Sequence, residues 1–190
     1  MNEEQRAAPP VAMNIPNSLT LLRILLIPVY VGLLVYEHYD EALGVLLIAG
    51  VTDALDGTIA RVANQRTRLG AVLDPLADKL LLISGFVTLS VIHWIPSWVA
   101  ILVVSRDLIL MVGTVVAHYS GSQVDTSPTF LGKGTTFCQL TYILLAVFLA
   151  SRHHDLSMIQ PLLYLMVIFT LMSGFHYLYR GYVRVTANGL

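Results

Sequence analysis

A chain of 190 residues that is 56% hydrophobic and 12% charged, with a mean hydropathy of +0.72, does not have the composition of a water-soluble globule, in which about a quarter of residues are charged. Its formal net charge of -1, with no basic stripe interleaved with aromatics, excludes nucleic-acid binding. A single cysteine, Cys138, excludes internal disulfides, and its apolar setting makes it a small buried hydrophobe.

In chain order, a polar tail over 1–13 with a Pro-Pro break precedes a helical membrane domain over 14–190. The stretch Ala12 to Leu19 is expected to form a short interfacial piece, with Asn17 or Ser18 as a helix cap. Apolar runs near the ~20 residues that a spanning helix needs then recur six times. They lie at Leu19 to Tyr36, Ala42 to Ala60, Ala71 to Ile92, Ser97 to His118, Thr135 to Ala150 and Ile159 to Leu178. The expected fold is all-α and polytopic, with six transmembrane helices in one domain.

Lysine and arginine set the orientation, because short cytoplasmic loops carry their excess. With both termini cytoplasmic, Arg6, Arg61, Arg66, Arg68, Lys133, Arg180 and Arg184 fall on the inner side and Arg152 alone falls outside. The stretches Glu37 to Glu41 and His93 to Ser97 hold neither residue type. No Arg-rich, acidic-poor leader precedes the first apolar run, so a bacterial plasma membrane is the expected location.

Ionisable residues inside apolar spans are expensive, about 2.5 to 3.5 kcal/mol each, and a cluster of them calls for a functional reason. The stretch VTDALDGTIARVANQRTRLGAVLDPLADKL holds Asp53, Asp56, Arg61, Asp74, Asp78 and Lys79. Asp53, Asp56, Gly57 and Ala60 share one helix face at i, i+3, i+4 and i+7, and Asp74 and Asp78 stand one turn apart on the next helix. If those two helices are antiparallel neighbours, four carboxylates converge. Such a group cannot stay ionised without compensation, and two magnesium or manganese ions, which take oxygen ligands, supply it. The small residues Gly57, Ala60 and Gly70 leave room for a nucleotide, and Arg61 can fork onto a phosphate. Helix capping explains single members, Asp74 before Pro75 above all, but not the whole register. A small cation transporter would explain the aspartates and leave the interleaved glycines and arginine without a purpose.

This stretch resembles the signature of the CDP-alcohol phosphatidyltransferase family, D-x2-D-G-x2-A-R-x8-G-x3-D-x3-D, with every fixed position filled by Asp53, Asp56, Gly57, Ala60, Arg61, Gly70, Asp74 and Asp78. The resemblance implies that Asp53, Asp56 and Asp74 hold one metal ion and Asp53, Asp74 and Asp78 the second. It implies that Asp78 is the general base, that Asp56, Gly57, Ala60, Arg61 and Gly70 bind CDP-diacylglycerol, and that the protein is a homodimer. Transfer of the phosphatidyl group to an alcohol would release CMP on the cytoplasmic side.

Acceptor choice lies outside the shared motif. Arg106 in the SRD element and Lys133 before the fifth apolar run are the candidate contacts to an acceptor phosphate. An internal ion pair is the competing reading for Arg106, and an interfacial anchor for Lys133. Arg23 could face the same cavity or serve as a positive-inside anchor. The runs NIPNSLTLLRILLIP and DPLADKLL resemble both the family branch that uses glycerol 3-phosphate, the expected acceptor, and the branch that uses phosphatidylglycerol. The SRD element instead resembles the branch that uses phosphatidylglycerol.

Overall fold

The computed structural model describes residues 15–62, 70–119 and 130–187, and the side chains of 18–53, 76–113, 130–177 and 179. Six long α-helices account for nearly all of them: α1 (Ile15–Val35), α2 (Tyr39–Val62), α3 (Gly70–Val91), α4 (Ser97–Tyr119), α5 (Phe130–Ser151) and α6 (Gln160–Ala187). A single 3-10 turn, Leu156–Ile159, leads into α6. The helices cover the six expected apolar runs to within one residue at Tyr36, Ile92 and Ile159. Helix α1 starts at Ile15, so Asn17 and Ser18 lie inside its first turn rather than at a cap. Helix α6 continues nine residues past Leu178, the end of its apolar run.

Three described segments are long and apolar enough to cross a membrane: Ser18–Val35, Phe130–Ser151 and Leu156–Tyr177. The exterior differs from that of a soluble bundle. Leu25, Ile48, Val87, Ile101, Phe137 and Ile168, one from each long helix, are exposed. Meanwhile Thr20, Arg23, Thr88, Arg106, Asp107, Gln139 and Ser173 are buried. An apolar exterior around a core that also encloses polar groups is what lipid as a solvent selects, because polar groups there must find partners within the bundle.

The threonines show how the interior is satisfied. The Thr88 hydroxyl donates to the Ser84 carbonyl at 2.7 Å, and Thr135 donates both to Leu131 in its own helix and to Phe169 on α6, at 2.8 and 3.1 Å. Around them Tyr30, Leu34, Phe86, Leu89, Val99, Ile143 and Met166 form one apolar core, in which the rings of Phe86 and Tyr142 stack at 6.3 Å.

Helix α1 packs against both α2 and α3, α2 against α5, α3 against α4 and α5, and α6 against α4 and α5. The expected direct pairing of α2 with α3 is not seen among the described residues; α1 touches both instead. Close approach of α3 to its neighbours depends on Gly85, where an added Cβ would lie 2.9 Å from Ile143 Cδ1 and 3.6 Å from the Tyr30 hydroxyl.

Helices α1, α3 and α5 end alike. Glu37, His93 and His153 each adopt a left-handed φ, of 64°, 61° and 55°. The next amide in each case bonds back five residues, from His38 to Leu33, from Trp94 to Leu89 and from His154 to Leu149, at 2.8, 2.9 and 2.8 Å. These are Schellman closures without glycine, and each turns the chain tightly into the following helix. The first two meet in space, with the Tyr39 and Trp94 rings 5.1 Å apart. In the third hairpin the Asp155 carboxylate accepts from the Ser157 amide at 2.8 Å, which holds its carboxyl below the usual range.

Candidate active site

Two of the four motif aspartates have described side chains, Asp53 on α2 and Asp78 on α3. They converge on a residue outside the motif. Arg23 of α1 places one nitrogen, Nη1, 2.8 Å from Asp53 Oδ1 and 2.7 Å from Asp78 Oδ1. All three residues stand roughly two turns in from the helix ends that face one another, the start of α1, the end of α2 and the start of α3. Alternating helix direction therefore brings them to one depth.

Arg23 is fully buried, whereas the Asp53 and Asp78 side chains are 45% and 48% exposed. The guanidinium thus supports the carboxylates from the closed side of the bundle, and each carboxylate keeps an open side. A buried arginine bridging two carboxylates is a charge-assisted arrangement that fixes both side chains.

A second polar cluster continues across the bundle from Lys79, the neighbour of Asp78. Lys79 Nζ lies 2.9 Å from Asp107 Oδ2, and Arg106 Nη1 lies 2.7 Å from Asp107 Oδ1. Arg106 Nη2 in turn donates to the Ser173 hydroxyl at 2.7 Å. Asp107 is almost completely enclosed, as is Arg106, and the cluster ties α3 to α4 and α4 to α6. The two clusters together form a polar band through α2, α1, α3, α4 and α6.

Of the residues singled out from the sequence, Arg106 is therefore held by Asp107 and Ser173, and Lys133 is exposed in the first turn of α5. The side chains of Asp56, Gly57, Ala60, Arg61, Gly70 and Asp74 lie outside the described residues. Helix α3 begins at Gly70, which places Asp74 within the helix and not at its cap. Sequence reasoning did not single out Lys79, Asp107 or Ser173 as a group. The available signal was the cost of Arg23, Arg106 and Asp107 within apolar runs, which demands partners.

Asp53 and Asp78 offer hard oxygen donors with an open side, a donor set that suits magnesium or manganese and not a softer metal. Among the described residues no group of three potential metal ligands is present. Completing such a set would require Asp56 and Asp74.

The bundle is membrane-type and brings aspartates of its second and third helices together. The chain belongs to the CDP-alcohol phosphatidyltransferase family, whose model matches residues 13–175. It is 36% identical over 186 residues to the cardiolipin synthase (CMP-forming) of Homo sapiens, covering 88% of this chain and 61% of that protein. It is 35% identical over 144 residues to the Streptomyces coelicolor protein of the same name, covering 71% and 65%. It is 32% identical over 181 residues to the CDP-diacylglycerol–glycerol-3-phosphate 3-phosphatidyltransferase of Bacillus subtilis, covering 86% and 93%. The chain thus spans 61% of the length of the human and rat cardiolipin synthases.

Proposed function

We propose that this protein transfers the phosphatidyl group of CDP-diacylglycerol to glycerol 3-phosphate and releases CMP, working at the cytoplasmic face of a bacterial plasma membrane as a six-span homodimer with both termini inside. The observation that carries the reading is the meeting of Asp53 and Asp78, from two different helices, at one buried guanidinium with open sides outward. The glycerol 3-phosphate acceptor is supported by the near full-length match to the Bacillus subtilis transferase.

Asp53, Asp56, Asp74 and Asp78 would hold two magnesium or manganese ions. Bound there, these would neutralise charge on the diphosphate and on the departing CMP. Gly57, Ala60, Arg61 and Gly70, with Asp56, cradle the CDP portion. Asp78 takes the proton from the acceptor hydroxyl, whose oxygen then bonds to the phosphorus next to diacylglycerol as the bond to CMP breaks. Arg106 and Lys133 would complement the acceptor phosphate; for Arg106 this requires contact from a position already engaged with Asp107 and Ser173.

A second reading, transfer to phosphatidylglycerol to give cardiolipin, is favoured by the 36% identity to the human synthase. CMP release by purified protein in detergent separates the readings. CDP-diacylglycerol is supplied with magnesium or manganese and with each acceptor in turn. Release that needs glycerol 3-phosphate supports the first reading, and release only with phosphatidylglycerol supports the second. A small cation transporter would release no CMP with either.

A further inference from the structure

Arg23 lies outside the aspartate motif, on a helix that contributes no carboxylate to it, yet its side chain is the point at which Asp53 and Asp78 meet. Helices α2 and α3 do not pack on one another among the described residues, whereas α1 packs on both. Packing on both helices ties the relative placement of the two carboxylates to α1. Two carboxylates brought this close repel and, on partly exposed side chains, would rotate apart into other rotamers. A guanidinium bridging both through one nitrogen removes that freedom.

The direction of approach decides what kind of role this is. A cation that stood in for a metal would occupy the exposed side of the carboxylates, where ions and nucleotide arrive. Arg23 has no exposed surface, and the carboxylates it touches are nearly half exposed. It sits behind them. Its charge opposes an arriving cation at longer range, but its contacts hold both ligands aimed at the open side, as outer-layer partners of metal ligands generally do.

We propose that Arg23 is a positioning residue that sets the Asp53 and Asp78 carboxylates for divalent-cation binding from the open side, an inference that rests on the two-metal reading above. The experiment is Mn2+ binding to full-length protein in detergent, followed by the electron paramagnetic resonance of free Mn2+. Wild type, Arg23→Gln and Arg23→Lys are compared, with kcat and KM for CDP-diacylglycerol measured alongside. Arg23→Gln is expected to bind Mn2+ about tenfold or more weakly. At saturating Mn2+ its kcat should fall while KM for the lipid stays within about twofold, since the CDP cradle is not touched. Arg23→Lys, with a point charge in place of a fork, should fall between wild type and Arg23→Gln.

Monodisperse Arg23→Gln protein that binds Mn2+ as tightly as wild type, or more tightly, overturns the proposal and leaves the two-metal reading standing. Wild type that binds no Mn2+ overturns that reading and the proposal with it. Should Arg23→Gln fail to fold, Arg23→Lys decides: weakened Mn2+ binding in folded protein supports the proposal, and wild-type affinity overturns it.

Discussion

Replacing Asp107 by asparagine removes the acid that holds Lys79 and Arg106 together at 2.9 and 2.7 Å. The Asp107 side chain is 1% exposed and Arg106 is 6% exposed, so the arginine would keep its charge inside the bundle with Ser173 as its remaining partner. Breaking a buried ion pair from one side typically costs about 3 to 5 kcal/mol, because the surviving charge is left uncompensated. Lys79 is 29% exposed and can recover water, which places the expected loss at about 3 kcal/mol. Unfolding in mixed micelles, followed through Trp94 and Trp98, reads this directly, since both tryptophans lie at the α3–α4 hairpin that the cluster joins. Lys79→Met in the Asp107→Asn background should cost about 1 to 2 kcal/mol less than the two single changes would suggest if added. An Asp107→Asn protein within about 0.5 kcal/mol of wild type, or strict additivity with Lys79→Met, would refute this account of the cluster.

Gly85→Ala is expected to cost about 1 kcal/mol through crowding of Ile143 Cδ1, and Ile143→Val in the same chain should recover part of it; equal stability of the single and double variants would contradict this. At His93, whose φ is 61°, stability should run glycine at or above histidine, and valine about 1 kcal/mol below; thermal unfolding that ranked valine above glycine would count against the left-handed closure. Asp78→Asn should abolish CMP release while leaving metal-dependent binding of CDP-lipid largely intact, and turnover near the wild-type rate would remove Asp78 from the role of base.

Much of the architecture was legible because lipid imposes a simple length rule. Runs of about 20 apolar residues marked all six long helices among the described residues, each covering its expected run to within one residue. The helix ends were harder. Glu37, His93 and His153 close helices in a conformation that glycine usually signals, and nothing in their identities marks it. Hydropathy also ended α6 too early, since a helix that leaves the apolar layer need not stop there.

At the site, periodicity placed Asp53 on one helix face and motif spacing carried Asp78, yet the element joining them was not visible. Local sequence cannot say that α1 packs against both motif helices, and so Arg23 read equally well as an anchor. Arg106 was legible as a possible ion pair because Asp107 adjoins it. Lys79 and Ser173, which complete that cluster, lie far from it along the chain and are brought near only by the packing of α3 and α6 on α4.

The polar band has an electrical consequence. Arg23, Lys79 and Arg106 carry three positive charges, and Asp53, Asp78 and Asp107 carry three negative ones, so the band is electroneutral. A diphosphate approaching it meets no net attraction. Divalent cations added on the open side, with only Asp56 and Asp74 left to balance them, would give the site a surplus of positive charge that the diphosphate itself then cancels. Cation and nucleotide lipid would thereby bind as a pair, each raising the affinity of the other by the same factor. A site so arranged would shed its metals readily without substrate and retain them for as long as the diphosphate stays.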